Sequence, residues 1–161
     1  MFGKKETIKL NQLKEGYSFK LKGTIWDVLE LGEYDWRGDG RSIEYKIEDK
    51  NGNIAYLEVE FIKGEFEVYF SEEVFIENPL LQDAVISKSI FYLDDNFKQD
   101  EHYKGSYKNL TNHGSWENLE SHIFYNSDDA MLTIEKWDDG SFESFYGEGI
   151  SAKKIKNITP N

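Results

Sequence analysis

Short runs of alternating apolar and polar residues dominate the chain, and a period of two is typical of half-buried β-strands. The runs 17–21 and 24–31 lie on the two sides of Lys22-Gly23. Further runs of this kind occupy 43–48, 54–62, 65–70, 103–107 and 132–137. The pattern therefore predicts antiparallel strands along most of the chain.

A polar stretch between two of these runs raises the question of a calcium-binding loop, because Asp49, Asn51 and Asn53 alternate as the first ligands of such a loop do. The loop also needs glycine at its sixth position, which is Ile54 here. Asn51-Gly52 is instead the dipeptide favoured by a two-residue type I′ turn. The stretch therefore predicts a hairpin.

The segment 72–87 fits two structures. Its apolar run at 80–86 matches a short helix and a strand about equally well, and Asn78-Pro79 interrupts the pattern just before that run. Both alternatives stay open for this segment.

The second half of the chain echoes the first, since 132–142 and 45–54 both give strand, glycine turn, strand. Two related β units, at about 17–70 and 103–158, are one interpretation, and a likeness between any two hairpins is the other. The sequence predicts one mainly β domain over 1–161, with antiparallel meanders forming a sandwich or barrel-like domain and at most short helical turns. Residues 1–8 and 159–161 are expected to fray.

Composition narrows the possible partners. The formal net charge is −12, from 31 acidic and 19 basic residues, so the surface repels phosphate backbones and anionic lipids. Nucleic-acid binding is therefore not expected, and the chain has no apolar run long enough for membrane insertion. It has no cysteine, which excludes disulfides and thiolate chemistry and fits a cytoplasmic protein.

Candidate catalytic and metal-binding residues are few. His102, His113 and His122 are separated by eleven and nine residues, which is no usual ligand spacing, so we expect surface histidines. Their convergence on one metal through the fold is the alternative. Neighbouring carboxylates such as Asp138-Asp139 fit turns better than the separated pair that glycoside hydrolysis needs. No cofactor is expected.

Aromatic residues are the remaining candidates for a site. Tyr34, Trp36, Trp116 and Trp137 lie beside polar or glycine positions rather than in apolar stripes, and such residues dominate binding surfaces when they are exposed. The alternative is that they cover the ends of the β core, since large aromatics are highly buried on average. These four residues are the predicted binding residues.

Several landmarks carry a resemblance to a known family. They are the turn glycine Gly16, the pair Glu44-Tyr45, the strand 56–58 after the hairpin, and the late hairpin 132–143 that closes on glycine. Together they resemble a bacterial domain of unknown function, family 4178, over nearly the whole chain. The family pattern leads us to expect a tryptophan shortly before the Glu44-Tyr45 pair. In this chain Ile43 precedes the pair, and the nearest tryptophan is Trp36. The resemblance carries no enzymatic activity, and it implies partner binding linked to envelope or membrane-stress systems.

Two functions follow as hypotheses. The first is a non-catalytic cytoplasmic module that binds an unidentified protein partner through an edge strand or an aromatic patch around Trp36, Trp116 or Trp137. The second is a barrel that binds a small molecule or carbohydrate, with possible hydrolytic activity, in which aromatics and carboxylates line an internal pocket. A concave pocket with convergent carboxylates favours the second.

Overall fold

A computed structural model describes residues 7–160, and in that range it shows eleven β-strands and one α-helix. The strands are β1 (Ser18–Leu21), β2 (Thr24–Asp35), β3 (Arg41–Glu48), β4 (Ile54–Ile62), β5 (Glu65–Val74), β6 (Ser89–Tyr92), β7 (Asp95–Asn109), β8 (Glu117–Tyr125), β9 (Met131–Trp137), β10 (Phe142–Ile150) and β11 (Lys156–Thr159). The helix α1 spans Asn78–Ser87. Three short 3₁₀ helices lie at Leu10–Gln12, Arg37–Asp39 and Ala152–Lys154. The mainly β fold predicted by the alternation is confirmed.

Eight of the strands close into a ring. Strands β2 to β5 form one antiparallel meander and β7 to β10 form another, and the pairings β5–β10 and β2–β7 join the two. Strand β2 is long enough to pair with β1 through its first residues and with β7 through residues 32–35. Strands β1, β11 and β6 extend the sheet beyond the ring. The barrel-like arrangement is thereby confirmed.

Two-residue turns close three of the hairpins, and both residues of each turn have positive φ, as in a type I′ turn. These turns are Lys22-Gly23, Lys63-Gly64 and Leu93-Asp94. The backbone twist of type I′ turns matches the twist of the strands that they join. The two lysine–glycine turns lie where the alternation breaks in the sequence.

The hairpin of β3 and β4 is confirmed, but the predicted two-residue turn at Asn51-Gly52 is wrong. In this loop only Gly52 has a positive φ, 80°, and its N–H donates to the Asp49 carbonyl at 3.2 Å. The Asp49 carboxylate Oδ1 accepts the N–H groups of Asn51 and Asn53, each at 2.9 Å. These side-chain hydrogen bonds stabilise a longer loop, since aspartate readily bonds the backbone two residues ahead.

Apolar side chains pack mainly on the outside of the ring. On β4, Ala55, Leu57 and Val59 are buried in a first core that the N-terminal segment, β1 and Ile155 cover. The residues between them face inward, and Glu58 and Glu60 line an internal cavity. The usual polarity of a small barrel is therefore reversed on this strand.

A second core lies under α1. Leu81 and Ala84 of the helix pack against Phe124, Leu132 and Ile134 of β8 and β9. The helix thus covers the outer face of the second meander, as the N-terminal segment covers that of the first.

The undecided segment 72–87 contains the end of β5 and then α1. Pro79 lies in the first helical turn, where a missing N–H costs nothing, and Lys88 ends the helix in the left-handed conformation with φ 62°. At ten residues, α1 is longer than the short turns expected from the sequence. The packing of Leu81 and Ala84 supplies the stability that its weak sequence pattern does not show. No helix within residues 7–160 has the length and apolar character that a membrane crossing requires.

The two predicted units correspond broadly to the two meanders, although β7 begins at Asp95. The echoing hairpins hold different places in them, because β3–β4 is the middle hairpin of the first meander and β9–β10 the last of the second. A duplication therefore stays a prediction. Residues 1–6 and 161, expected to fray, lie outside the described residues, whereas Ile8 packs against the first core and Thr159 pairs with Ser18.

Candidate functional site

Four glutamates from four ring strands point into the ring interior. They are Glu44 on β3, Glu58 on β4, Glu135 on β9 and Glu143 on β10, and we call them the inner glutamates. Glu44 lies directly opposite Glu58, and Glu135 lies directly opposite Glu143 in the neighbouring strand. Like charges in opposed positions of a sheet are destabilising. The arrangement therefore costs stability when these groups are ionised.

Tyr34 joins two of the inner glutamates. Its hydroxyl oxygen lies 3.1 Å from Glu44 Oε2 and 3.1 Å from Glu135 Oε1. A phenol has one proton, so Tyr34 can donate to only one of these carboxyl groups. The other contact is a hydrogen bond only when that carboxyl is protonated and donates to the Tyr34 oxygen. The geometry therefore accommodates one proton held by the Glu44–Tyr34–Glu135 group.

Burial raises the pKa of all four inner glutamates. The pKa of Glu44 rises to about 8, because of burial first and the charge of Glu58 second. Burial and the charge of Glu44 hold the pKa of Glu135 well above its usual value. Within residues 7–160, none of the four forms an ion pair with a basic side chain, although Lys46 lines the same cavity. Burial therefore favours the protonated form of these carboxyl groups, and no basic side chain in the described residues pairs with them.

A second hydrogen-bonded chain runs beside Tyr34, from the residue after β2 through β3 to β4. Trp36 Nε1 donates to Ser42 Oγ at 3.2 Å, and the Ser42 hydroxyl donates to Glu58 Oε2 at 2.6 Å. The Trp36 and Tyr34 rings stack with centroids 4.8 Å apart and planes 10° from parallel. The stack and the two hydrogen-bonded groups form a continuous layer across the ring.

Glycines in β2 and β7 make room for this aromatic layer. A Cβ at Gly105 would lie 2.6 Å from the Trp36 ring, and one at Gly32 would overlap the Tyr107 ring. Tyr107 itself lies against Tyr34, with ring centroids 4.9 Å apart. The missing side chains thus let large rings enter the ring interior.

Two cavities lie on the two sides of this layer. The first has a volume of about 200 Å³, and Trp36 and Glu58 belong to its lining. Its other acidic and aromatic residues are Asp39, Glu60, Glu67, Glu101, Tyr69, Tyr103 and Tyr125. Among the described residues, its lining includes no Lys, Arg or His. The pKa of Glu60 is raised to about 7, by burial first and the Glu58 charge second.

The second cavity has a volume of about 170 Å³ and contains the Tyr34 group. Its lining is Glu30, Tyr34, Glu44, Lys46, Tyr56, Tyr107, Glu135, Trp137, Glu143 and Phe145. Five aromatic rings and four carboxyl groups therefore surround a small space, with Lys46 as its one basic lining residue. Carboxylates and aromatic faces both attract cations.

The structure places the four predicted binding aromatics in different settings. Tyr34 and Trp36 are buried, so Trp36 does not form the exposed patch considered from the sequence. Trp137 lines the second cavity, and its Nε1 is buried with no hydrogen-bond partner in the described residues. Trp116 is 43% exposed and lines an open groove that shares Trp137 with that cavity. Their binding role stays a prediction.

Sequence reasoning missed the inner glutamates. Glu44, Glu58 and Glu135 occupy the polar phase of alternating strands, and that phase is ordinarily assigned to solvent. One signal could have found them. The opposite face of each of these strands already carries the apolar residues that form a core. Only ring closure turns the polar face inward.

Two of the histidines lie together on the outer face of the ring. His102 on β7 is directly opposite His122 on β8, and their rings stack with centroids 4.2 Å apart. The expectation of surface histidines is wrong for His122, which is 4% exposed because it adjoins the second core next to Phe124. His113 lies in an exposed loop, as expected.

Similarity to known proteins extends over nearly the whole chain and is not confined to the site. Residues 14–152 match the family described as "Domain of unknown function (DUF4178)". The chain belongs to this family. This DUF4178 protein is 26% identical, over an alignment of 163 residues, to an uncharacterized protein of Aquifex aeolicus strain VF5. The alignment covers 94% of this chain and 85% of that protein. No solved structure matches the DUF4178 chain.

Proposed function

We propose that this protein is a non-catalytic binding module that holds a small organic cation inside the ring. The observation that carries the proposal is the set of inner glutamates, four carboxyl groups with raised pKa that have no ion pair within residues 7–160. Buried carboxyl groups of this kind are costly unless something compensates them. A bound cation provides that compensation.

The walls of the cavities support an organic cation in particular. Tyr34, Tyr107 and Trp137 present rings to the second cavity, and aromatic faces attract ammonium groups. An ammonium group entering there displaces the proton held between Glu44 and Glu135. Volumes of about 170 and 200 Å³ lie below the roughly 300–1,000 Å³ of drug-sized sites, so the ligand is small.

Thermal unfolding of the full chain at about pH 8 tests this proposal. The probes are tetramethylammonium and n-butylammonium chloride, compared with sodium chloride at equal ionic strength and with neutral n-butanol. A ligand at about 100 times its Kd stabilises by about 2.7 kcal/mol, which raises the Tm by roughly 5–10 °C for a chain of this size. We expect such a rise with at least one organic cation and with neither control.

Two variants locate the binding. Glu44→Gln and Glu135→Gln each remove one carboxylate of the Tyr34 group, and we expect at least about a tenfold loss of cation affinity. Glu15→Gln removes an exposed carboxylate outside the ring and is the matched control. Organic cations that stabilise the wild-type chain no more than sodium does would show the proposal to be wrong.

A second candidate function is binding of a protein partner in the cytoplasm. Phe75 is 89% exposed just before α1, Ile86 is 73% exposed on α1, and Phe91 is 70% exposed on β6, which contacts α1. Exposed apolar groups of this size are found at interaction surfaces. We expect a protein retained by the wild-type chain from cell extract to be lost with the double change Ile86→Ser and Phe91→Ser. Equal retention by the folded double variant would contradict this candidate.

A further inference from the structure

Three metal-ligating side chains meet on the outer face of β7 and β8. His102 faces His122 directly across the two strands, and Glu120 lies two residues before His122 on the same face. Tyr103, next to His102, and Ser121, between Glu120 and His122, point to the opposite face and line the first cavity. The cluster is therefore separate from the ring interior and from the cation site proposed above.

The distances within the cluster suit a single ion. Glu120 Oε2 lies 3.5 Å from His102 Nε2 and 3.6 Å from His122 Nε2, and one ligand atom from each of the three residues lies within 4.8 Å of the other two. Zinc–ligand distances of about 2.0–2.1 Å at a tetrahedral angle place two ligand atoms about 3.4 Å apart. Each oxygen-to-nitrogen distance already approximates that separation.

His122 is buried, and its Nε2 has no hydrogen-bond partner among the described residues. Its Nδ1 lies 3.2 Å from the amide oxygen of Gln99. Nδ1 donates to that oxygen in the neutral tautomer, which leaves a lone pair on Nε2, on the side of Glu120. Metal-bound histidines are commonly oriented in this way by a hydrogen bond at the second ring nitrogen. Gln99 therefore prepares His122 as a ligand.

An irregularity in β7 delivers Gln99 to this position. Gln99 pairs with Phe124, which faces the second core, whereas Glu101 pairs with Ile123, which lines the first cavity. Residues two apart in a regular strand share a face, so the register shift at Asp100 places Gln99 and Glu101 on opposite faces. Without that shift, Gln99 could not reach His122.

We propose that His102, Glu120 and His122 form a binding site for a divalent transition metal of the zinc type, with water completing the coordination. In the observed stack the two rings are 10° from parallel, so their Nε2 lone pairs do not aim at one point. His102 is exposed, and it turns about its side-chain bonds to bring its Nε2 onto the ion. The buried ring of His122 stays in place.

Two lysines compete with the metal. Lys104 Nζ lies 3.7 Å from Glu120 Oε1, and Lys136 is opposite Glu120 on β9. Both are exposed and can turn toward solvent when the ion binds. Their positive charge lowers metal affinity, so we expect weaker binding than at a structural site of cysteine ligands.

Calorimetric titration of the untagged, chelator-treated full chain with zinc chloride tests the site, and visible absorption of the Co²⁺ form reports its ligands. We expect one ion per chain. His102→Ala, at an exposed position, should abolish one-to-one binding, and Gln99→Ala should weaken it by about 10–100-fold. His113→Ala is the matched control because His113 lies in a separate exposed loop.

The outcomes separate this site from the ring interior. Unchanged zinc affinity in folded His102→Ala, or no zinc binding by the wild-type chain, would overturn the proposal. Glu135→Gln should leave zinc binding unchanged, and His102→Ala should leave binding of organic cations unchanged. Failure of one proposal is therefore distinguishable from failure of the other.

Discussion

A single phenol oxygen joins carboxyl groups from the two halves of the chain. Tyr34 and Glu44 lie on the paired strands β2 and β3 of the first meander, whereas Glu135 belongs to the second, so the contact between Tyr34 and Glu135 crosses the ring. Because one phenol proton serves only one carboxyl group, both contacts are hydrogen bonds only when one of the two carboxyl groups keeps its proton. Tyr34 is thus both part of the proposed binding surface and a connection between the meanders.

Replacement of Tyr34 by phenylalanine tests that connection. The change leaves two buried carboxyl groups without the hydroxyl they share, and we expect the free energy of unfolding to fall by about 1–3 kcal/mol. Urea unfolding at about pH 6 measures the loss. Tyr125→Phe is the control, since Tyr125 lines the first cavity without a side-chain hydrogen bond to any described residue. Equal stability of the two variants would contradict the bridging role.

At the scale of elements, β2 determines how the ring closes. Its residues 32–35 pair with β3 on one side and β7 on the other, so the two meanders meet along this stretch. Gly32 lies within it, opposite both Glu44 and Asn109. The absence of a side chain there lets the Tyr107 ring lie over the strand. Ring closure and the aromatic lining therefore depend on the same residue.

A methyl group at Gly32 should disturb both features. We expect Gly32→Ala to destabilise the fold by about 1–3 kcal/mol, because its Cβ overlaps Tyr107 and forces the ring to move. Gly38→Ala provides the comparison, since a Cβ at that exposed position meets nothing within 4 Å. Chemical unfolding of both variants measures the difference. A loss at Gly32 no larger than at Gly38 would show that Tyr107 does not need this space.

At the scale of the whole molecule, polar and apolar surfaces are exchanged relative to an ordinary filled barrel. The apolar cores lie outside the ring under the N-terminal segment and α1, while acidic and aromatic groups line the inside. Packing the interior with hydrocarbon would be more stable than burying carboxyl groups. Such a cost is typical of functional sites.

The acidic interior predicts an unusual dependence of stability on pH. The pKa of Glu44 rises from the usual 4.5 to about 8 in the folded chain. Between these two values the folded chain therefore keeps a proton on Glu44 that the unfolded chain releases. The free energy of unfolding should therefore fall between about pH 5 and pH 8, by at least about 1.4 kcal/mol for one unit of pKa shift. Hydrogen bonds in turns lower the pKa of Asp49 and Asp139, so the titration of these two groups changes stability only below this pH range.

Urea unfolding across this range, in the absence of organic cations, measures the slope. Glu44→Gln should reduce the fall and stabilise the chain at about pH 8, because the amide carries no charge opposite Glu58. Glu15→Gln should retain the wild-type slope, since Glu15 is exposed. Stability that stays level or rises with pH would contradict protonation of the interior.

Local sequence patterns accounted for the strands and several turns. The alternation identified the mainly β class, and Asp138-Asp139 fitted a turn, which the structure shows between β9 and β10. Irregular placement also singles out Tyr34, Trp36, Trp116 and Trp137 in the sequence, and their binding role stays a prediction. These features depend on neighbours along the chain, so the sequence alone contains them.

The sequence by itself determined the family, the β class and the alternation of two faces on each strand. Only the tertiary structure decided which face lies inside, because ring closure depends on β2 meeting β7 about seventy residues later in the chain. That closure turned Glu44, Glu58 and Glu135 from apparent surface residues into interior ones. It likewise brought His102 beside His122, whose separation in sequence gave no such indication. Alternation identifies two faces but does not say which one water occupies.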